Sequence, residues 1–359
     1  MKIAFYAPLK SPDHPVPSGD RQMGRLLMQA LVRSGFDVEL ASRLRAFRAE
    51  PGPQEDLRRE AHAEKIRLAR EWALGGKPDM WFTYHLYYKA PDLIGPGLAR
   101  EWHIPYVTAE ASYAGKRDRQ GWAAAQALVR EAVGQAHVNL CFTDRDRPGL
   151  ETAAPHARFA SLSPFIDTSA YERVASLPPG PRLVTVAMMR KGDKLASFAM
   201  LAEALMLIAD LRWHLTVIGD GPMRAETVSL FAGLPAGRID WQGELPADSV
   251  PAALRAGGIY VWPGCGEAYG LAYLEAQAAG MPVVAQATAG VPAVVRHGRT
   301  GLLTPEGDVA AFAAAIRALL ADDARREAYG RAARAFVLEE RSLRLAALKL
   351  GLILRSAAS

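Results

Sequence analysis

Short apolar runs rich in Val, Ile, Phe and Tyr alternate with longer helical runs along almost the whole chain. In the first half the apolar runs predict strands with the sequences KIAFYAP, FDVELAS, MWFTYH, PYVTAE, VNLCFT and FASLSPF. In the second half they predict strands with the sequences RLVTVAM, WHLTVIGD, IDWQGE, GIYVWP, PVVAQA and GLLTPE. Strands that alternate with helices build parallel sheets from βαβ units. Because the alternation occurs twice, we predict an α/β protein with two Rossmann-like, doubly wound domains.

The runs between the strands predict helices, the clearest of them over 20–34, 55–72, 195–208, 270–280 and 308–321. The segment 325–356 is rich in Ala, Leu and Arg and is also predicted to be helical, with no strand after it. Residues 176–181, with the sequence SLPPGP, form the densest cluster of Pro and Gly and predict a linker.

We therefore expect an N-terminal domain over 1–175, a C-terminal domain over 176–335, and a C-terminal helix over 336–359. The last helix is expected to pack back on the N-terminal domain. The carboxyl ends of the strands in both sheets should line a central cleft, because open parallel sheets bind their ligands at that edge.

The composition, 50% hydrophobic and 23% charged over 359 residues, is typical of a globular protein. The formal net charge is +5, of which +4 falls within the first 165 residues. This charge is small, and no aromatic–basic motif accompanies it, so the sequence argues against nucleic-acid binding. The basic clusters at 43–48 and 58–59 fit either a solvated face or contact with an acidic acceptor or anionic lipid.

The chain opens on a predicted strand rather than a signal peptide, and its apolar runs fall short of the ~18 residues needed to span a membrane. The two cysteines, Cys141 and Cys265, show neither metal-ligand spacing nor a disulfide framework. We expect a cytoplasmic protein without a bound metal, whose membrane contact, if any, is peripheral and at the inner face.

The segment 264–275 is the most informative part of the sequence for function. Its two carboxylates, Glu267 and Glu275, are separated by seven residues. Glu267 lies in a glycine-rich turn between a predicted strand and a predicted helix, where free backbone N–H groups and the helix dipole favour a phosphate. Glu275 lies one to two turns into that helix, where it can accept hydrogen bonds from sugar hydroxyls. The pattern predicts a ligand that is anionic at one end and polyhydroxylated at the other.

Three cations, Arg190, Lys191 and Lys194, follow the first predicted strand of the second domain. They fit either a solvated loop or a diphosphate site, where fixed cations stabilise the charge that develops on a leaving group. The turn 219–222, with the sequence GDGP, ends the next strand, and its Gly219 would allow backbone to come close to a ligand.

In the first domain, Ser18-Gly19-Asp20 follows the first predicted strand. Ser18 or Asp20 is expected to cap the next helix, and Gly19 would let backbone amides approach a phosphate. His85 ends the predicted strand MWFTYH, and at this position both a structural role and a role in the cleft remain possible. Glu110, at the end of PYVTAE, is a weaker candidate for contact with an acceptor, as is Asp20.

Together these motifs resemble the retaining glycosyltransferases of family 4, which have the GT-B fold. The resemblance is strongest over 184–308, where several short motifs match in order and spacing. They are the cations at 190–194, the turn 219–222, Trp-Gln-Gly at 241–243, the two glutamates, Gly-Val-Pro at 290–292 and Gly-Arg-Thr-Gly at 298–301. The first domain matches loosely.

The resemblance implies a nucleotide-diphosphate sugar donor, bound mainly by the second domain, with the first domain on the acceptor side. Glu275 would hold the ribose hydroxyls and Glu267 the hydroxyls of the donor sugar. Backbone groups of the turn and the helix start would hold the phosphates and the sugar; these residues are Ala268, Tyr269, Gly270 and Leu271.

The resemblance further implies that Arg190 and Lys194 bind the diphosphate and that Gly19 and His85 complete the site from the first domain. Catalysis would then depend on Arg190, Lys194, Glu267 and His85 and would need no metal or other cofactor. In the family an Arg commonly comes earlier and a Lys-Gly pair later. In this chain the sequence is Arg190-Lys191-Gly192, so the Arg is displaced from its usual position. Either Lys191 or Lys194 could be the lysine that acts with Arg190 on the diphosphate.

The implied function is the transfer, with retention, of a sugar to an acceptor hydroxyl on a glycan, a lipid-linked sugar or a small molecule. Envelope or exopolysaccharide assembly is the setting that the family suggests. One alternative is a nucleotide-sugar epimerase of the same architecture, and another is an inactive scaffold that binds a nucleotide or carbohydrate. The two glutamates favour transfer over epimerisation, and their presence beside the cations argues against an inactive scaffold.

Overall fold

The computed structural model divides the chain into two compact units. The first unit contains residues 1–163 and 343–359, and the second contains residues 164–342. The structure describes residues 1–172 and 181–358, so the linker predicted at 176–181 lies almost entirely outside the described residues.

The first unit contains a six-stranded sheet with helices between its strands. The strands are β1 (Lys2–Tyr6), β2 (Asp37–Ser42), β3 (Met80–Tyr84), β4 (Tyr106–Ala109), β5 (Val138–Cys141) and β6 (Phe159–Ser161). The helices are α1 (Gly19–Arg33), α2 (Glu55–Gly75), α3 (Gly95–Glu101), α4 (Ala123–Gln135) and α5 (Arg147–Ala153), with a 3-10 helix at Gly115–Gln120.

The strand order in this sheet is β2-β1-β3-β4-β5-β6, and all neighbouring strands are parallel. Every residue of β3, β4 and β5 is buried, whereas β2, at the edge, has exposed positions. Parallel sheets are covered on both faces, which explains why the central strands are continuously buried and mostly apolar. The order changes direction between β1 and β3, so the loops that follow these two strands begin side by side.

The second unit also contains a parallel six-stranded sheet. Its strands are β7 (Arg182–Val186), β8 (His214–Ile218), β9 (Ile239–Gly243), β10 (Ile259–Val261), β11 (Val283–Gln286) and β12 (Gly301–Thr304). Its helices are α6 (Ser169–Glu172), α7 (Asp193–Met206), α8 (Arg224–Leu230), α9 (Val250–Arg255), α10 (Leu271–Ala278), α11 (Val309–Ala321) and α12 (Asp323–Glu340), with a 3-10 helix at Val291–Ala293.

The strand order in the second sheet is β12-β11-β10-β7-β8-β9. Counted within this unit, the order is that of a Rossmann fold, in which the first and fourth strands are neighbours at the centre. Here those strands are β7 and β10, which pair in parallel with Ile259 opposite Leu183. The loops after β7 and β10 therefore start next to each other.

The helical run predicted at 325–356 is in fact two helices, because α12 ends at Glu340 and a last helix, α13 (Leu343–Ala358), begins three residues later. At the break the backbone N–H of Ile166 donates to the carbonyl of Arg341 (3.0 Å), and Ile166 forms a parallel bridge with Ser342. The break thus comes from pairing with a distant segment. Residues 336–342 lie in the second unit, rather than in the predicted C-terminal helix.

The helix α13 packs on α1 within the first unit. The hydroxyl of Ser34 donates to the carbonyl of Ala347 (2.6 Å), and Leu350 and Leu354 are fully buried. The boundary between the units lies at 163–164 rather than at the predicted 175–176, since the segment with Ile166 pairs with the second unit.

All twelve predicted strands are present, and the two parallel sheets confirm the predicted fold class. The helix predicted at 270–280 is α10, and the one predicted at 20–34 is α1. Within residues 1–172 and 181–358, no helix combines the length and the low polarity that crossing a membrane requires.

A buried carboxylate joins three elements of the first unit. Asp92, which is 3% exposed, accepts hydrogen bonds from the backbone N–H groups of Ile94 (2.9 Å) and Gly95 (2.7 Å) at the start of α3. It also accepts from the hydroxyls of Thr83 on β3 (2.5 Å) and Tyr106 on β4 (3.0 Å). One side chain therefore fixes α3 against the centre of the sheet.

We expect Asp92→Ala to destabilise the first unit by at least about 3 kcal/mol, because it leaves several buried donors without an acceptor. Urea unfolding followed by tryptophan fluorescence measures this loss. Asp37→Ala removes an exposed carboxylate at the start of β2 and is the matched control, with an expected change below about 0.5 kcal/mol. Equal stability of the two variants would contradict the assignment.

Candidate active site

The loops after β7 and β10 bring the predicted chemistry of the second unit together. Because the strand order reverses between these two strands, residues 187–192 and 262–270 leave the sheet at its carboxyl edge side by side. Lys194 at the start of α7 and Glu267 in the loop after β10 form an ion pair, with Nζ and Oε2 2.5 Å apart. Both side chains are mostly buried, at 29% and 20% exposure. The ammonium also lies 5.5 Å from the ring centre of Trp262.

Of the two lysines that the sequence left open, Lys194 is the one that faces Glu267. Lys191 is exposed and makes no ion pair within the described parts of the chain. Arg190 is partly exposed in the same loop, and its carbonyl accepts from the backbone N–H of Leu195 (3.1 Å). This contact distinguishes Lys194 from Lys191, and its role at a diphosphate stays a prediction.

Three glycines shape the loop that carries Glu267. Gly264, Gly266 and Gly270 have φ angles of 73°, 63° and 74°, in the left-handed region. A Cβ on Gly264 or Gly270 would lie 2.2 Å or 2.6 Å from side-chain atoms of Tyr273, and one on Gly266 would lie 2.3 Å from the carboxylate of Asp193. The loop therefore requires glycine at these positions for both its backbone conformation and its packing.

Two polar residues that the sequence analysis missed hold this loop in place. The hydroxyl of Ser197 on α7 accepts from the backbone N–H of Cys265 (2.9 Å) and donates to the carbonyl of Asp193 (2.8 Å). The buried amide of Gln286, at the end of β11, donates to the carbonyl of Pro263 (3.1 Å). The available signal was a polar residue in an otherwise apolar helix or strand, which also fits many structural roles.

The helix α10 starts at this loop. Gly270 precedes the helix, and among the residues that the structure describes no side chain caps its first turn, in which Leu271 is buried. In the segment before it, Ala268 is exposed and Tyr269 is buried. A helix start without a capping side chain is suited to an anion, and the binding of a phosphate there stays a prediction.

Glu275 lies further along α10, and its carboxylate accepts no hydrogen bond from the residues that the structure describes. Burial raises its pKa above the ordinary value for a glutamate. The negative charge of Glu275 also contributes to the raised pKa of Tyr171, for which burial is the larger cause. A largely desolvated carboxylate that accepts no hydrogen bond from the described residues is suited to hydrogen-bond donors of a ligand, such as hydroxyl groups.

Gly219 supports the loop after β7 by close backbone packing. It has a φ angle of 132°, and a Cβ there would lie 2.0 Å from the carbonyl oxygen of Ala187. Next to it the N–H of Met189 donates to the carbonyl of Asp220 (2.9 Å). This packing explains the glycine structurally, and its contact with a donor stays a prediction.

The first unit has a corresponding pair of loops after β1 and β3. Ser18 caps α1, since its hydroxyl accepts from the backbone N–H of Arg21 (3.2 Å), which leaves the side chain of Asp20 for another partner. That partner is His85, whose Nδ1 lies 3.1 Å from Oδ1 of Asp20. A Cβ on Gly19 would meet no atom within 4 Å, so the backbone is open there.

His85 and Glu110 end the adjacent strands β3 and β4 in the left-handed region, with φ angles of 60° and 54°. Burial disfavours the charged imidazole, but the carboxylates of Glu110 and Asp20 outweigh burial and raise the pKa of His85 to about 9. The pKa of Asp20 is lowered, since the contact with His85 outweighs the effect of burial. These three predicted residues therefore form one charged cluster at the carboxyl edge of the first sheet.

The sequence matches known proteins most clearly in the second unit. Residues 180–322 match the family described as glycosyl transferases group 1. The chain is 38% identical to a sulfoquinovosyl transferase of Arabidopsis thaliana over 124 residues. This aligned region covers 34% of this chain and 24% of that relative. It is 26% identical to a D-inositol 3-phosphate glycosyltransferase of Pseudarthrobacter chlorophenolicus, over 91% of this chain and 88% of that relative.

Solved structures are similar over both units. Sucrose-phosphate synthase from Thermosynechococcus elongatus matches with a TM-score of 0.76 at 19% identity, over 100% of both chains. The Anabaena protein HepE, solved in complex with UDP, matches with a TM-score of 0.74 at 15% identity, over 99% of this chain and 100% of that one. HepE has also been solved with UDP-glucose. The likeness shows that the two units have the GT-B fold.

We expect NMR titration of the His85 imidazole to give a pKa near 9. Because this value lies above the ordinary ~6.5, the contribution of the ion pair to stability is complete below pH 6.5 and is lost as the pH rises through 9. Asp20→Asn should lower the pKa and flatten the pH dependence of unfolding over this range. Asp13→Asn, which removes the carboxylate partner of Arg43, is the matched control and should leave His85 unchanged. An imidazole that titrates near 6.5 in the wild type would contradict the cluster.

Proposed function

We propose that this chain of GT-B fold is a glycosyltransferase of the group 1 type, and that it transfers a sugar from a nucleotide-diphosphate sugar to an acceptor hydroxyl with retention. In this reaction the bond between the anomeric carbon and the diphosphate oxygen breaks. A bond from the acceptor oxygen forms on the same face of the sugar, and the acceptor proton passes to the departing diphosphate. The products are a nucleoside diphosphate and a glycoside.

The observation that carries the proposal is the meeting of Lys194, Glu267 and the start of α10 at the reversal of strand order. The N–H groups at the start of α10 are suited to the diphosphate, as is the ammonium of Lys194. Both can strengthen their interaction as negative charge develops on the leaving group, which lowers the barrier to bond cleavage. Arg190, in the loop beside Lys194, is proposed to act on the same phosphates.

The two glutamates are suited to the neutral parts of the donor. Glu267, fixed by Lys194, would accept hydrogen bonds from hydroxyls of the transferred sugar. Glu275, with its unfilled carboxylate, would accept from the ribose hydroxyls. The structures of HepE with UDP and UDP-glucose support a nucleotide sugar as the kind of donor.

The charge states of Glu267 and His85 fit the proposed retention. Glu267 is paired with an ammonium, and His85, with a pKa of about 9, is protonated at neutral pH. A protonated imidazole donates a hydrogen bond and removes no proton. In the proposed reaction the departing diphosphate accepts the acceptor proton, which requires attack on the face that it leaves.

We expect one of UDP, GDP, ADP, dTDP and CDP to bind in calorimetry and Glu275→Ala to weaken that binding by about 1.5–3 kcal/mol, as expected for a charged hydrogen-bonding group. Glu203→Ala removes an exposed glutamate of α7 and is the matched control, with unchanged affinity. Unchanged nucleotide affinity in Glu275→Ala would exclude the ribose role. If none of the five nucleotides bound, the proposed donor class would be wrong.

We expect Lys194→Gln to lower kcat by roughly 100- to 1000-fold, with a much smaller effect on donor affinity, because the lysine acts on charge that develops in the transition state. Lys191→Gln removes an exposed lysine three residues away and should behave like the wild type. Steady-state kinetics with the matching nucleotide sugar, together with direct binding, separates the two effects. Equal losses in turnover and affinity would reduce Lys194 to a binding residue.

The same assay distinguishes the other activities. Release of nucleoside diphosphate with a glycoside of unchanged anomeric configuration, seen by NMR, supports retaining transfer. An altered sugar stereocentre in recovered nucleotide sugar would show epimerisation instead. Because cations of the chain are proposed to neutralise the diphosphate, EDTA should leave turnover intact, and its loss would show that a metal ion takes part.

A further inference from the structure

A cation follows each of four adjacent strands of the first sheet at its carboxyl edge. In the spatial order β2, β1, β3, β4, the loops after these strands carry Arg45, Lys10, Lys89 and Arg117. The carboxyl-edge loops of parallel strands meet at the same side of the sheet, so cations that are far apart in sequence share one surface. The Asp20–His85 pair lies at this same edge.

Aromatic rings connect these loops in a continuous row that starts at His85. The ring centres of His85 and Tyr87 are 5.3 Å apart, those of Tyr87 and Tyr88 5.3 Å, and those of Tyr88 and Trp122 4.9 Å. Trp122 is buried and supports Tyr88, whereas Tyr87 and Tyr88 remain partly exposed. We call these four residues the aromatic row. Partly exposed rings fixed in this way present flat surfaces on which the apolar face of a sugar ring can stack.

Two of the cations lie directly on the aromatic row. The guanidinium of Arg117 is 5.0 Å from the ring centre of Tyr88, and the ammonium of Lys89 is 5.8 Å from that of Trp122. A third cation, Arg45, lies near enough to Tyr87 to influence its pKa electrostatically. Burial and the charge of Asp20 raise the pKa of Tyr87 to about 12, and the positive charge of Arg45 partly offsets this rise. Positive charge is therefore concentrated along the row.

The charges of Lys89 and Arg117 are not neutralised within the described residues. Arg117 donates to the amide oxygen of Gln120 (2.7 Å), and neither cation has a carboxylate within ion-pair distance there. Three other arginines of the first unit are paired with carboxylates: Arg43 with Asp13, Arg48 with Asp56 and Arg130 with Asp118. Lys89 and Arg117 therefore combine a charge without a carboxylate partner among the described residues with direct contact to the aromatic row.

Resting on the proposed transferase activity, we propose that the acceptor is an anionic sugar or polyol, whose ring lies on the aromatic row and whose phosphate or carboxylate is held by Lys89 and Arg117. A guanidinium binds such an anion through two parallel hydrogen bonds, and Lys89 adds a point charge beside it. The protonated imidazole of His85, at one end of the row, donates to an oxygen of the same molecule. The acceptor is thereby chosen by charge as well as by shape.

The test compares D-glucose 6-phosphate, D-glucuronate and methyl α-D-glucoside as probes, with binding to the full chain measured by NMR titration at low salt. We expect both anionic probes to bind at least about tenfold more tightly than the neutral one. The double variant Lys89→Gln/Arg117→Gln should remove this difference. Lys116→Gln/Arg119→Gln, which removes two exposed cations of the adjacent 3-10 helix, is the matched control and should keep it.

Tyr88→Ala should weaken all three probes alike, through loss of the stacking surface, while Tyr88→Phe should retain their binding. Equal affinity for the three probes, no binding of either anion at about 20 mM, or an equal loss in the control double variant would overturn the proposal. A difference between phosphate and carboxylate identifies which anion the site prefers. Nucleotide affinity, measured on the same variants, should not change, so a failure of donor binding is seen separately from a failure of this acceptor class.

Discussion

The parallel pairing of β7 with β10 is the constraint on which the candidate site of the second unit depends. It places next to each other two loops that are about seventy residues apart in the chain, and it fixes the directions in which both leave the sheet. Backbone contacts of Gly219 with Ala187 on one side, and of Cys265 with Ser197 on the other, then tie each loop to a rigid element. These contacts fix the positions of Lys194 and Glu267, so that their side chains lose little conformational freedom when a ligand binds.

Packing and charge act together in the loop after β10. Tyr273 is fully buried, its hydroxyl donates to the carbonyl of Trp262 (3.1 Å), and its ring fills the space beside Gly264 and Gly270. The backbone is held in a conformation that only glycine adopts readily, which exposes N–H groups rather than side chains at the helix start. Glu267 is then held against Lys194 in a partly desolvated setting, where electrostatic interactions are stronger than in water.

The sequence was sufficient to predict the sheets, because fully buried parallel strands require mostly apolar runs. It was also sufficient to predict that Lys194 lies near Glu267, because the loops that carry them follow parallel strands and meet at the same carboxyl edge. It could not identify the partner of Asp20, since a carboxylate at a helix start fits a capping role as well as a distant ion pair. Ser197 was missed for a similar reason. The break between α12 and α13 has no Gly or Pro to mark it and arises from pairing with Ile166, an interaction that only the folded chain contains.

The position of α13 has a consequence for how the polypeptide matures on the ribosome. The first unit begins at the N-terminus, yet Leu350 and Leu354, which are buried in that unit, are synthesised after every residue of the second unit. The second unit can close its core first, while α1 still exposes the apolar surface that α13 will cover. The core of the first unit, by contrast, cannot be completed until residues 343–358 have been synthesised.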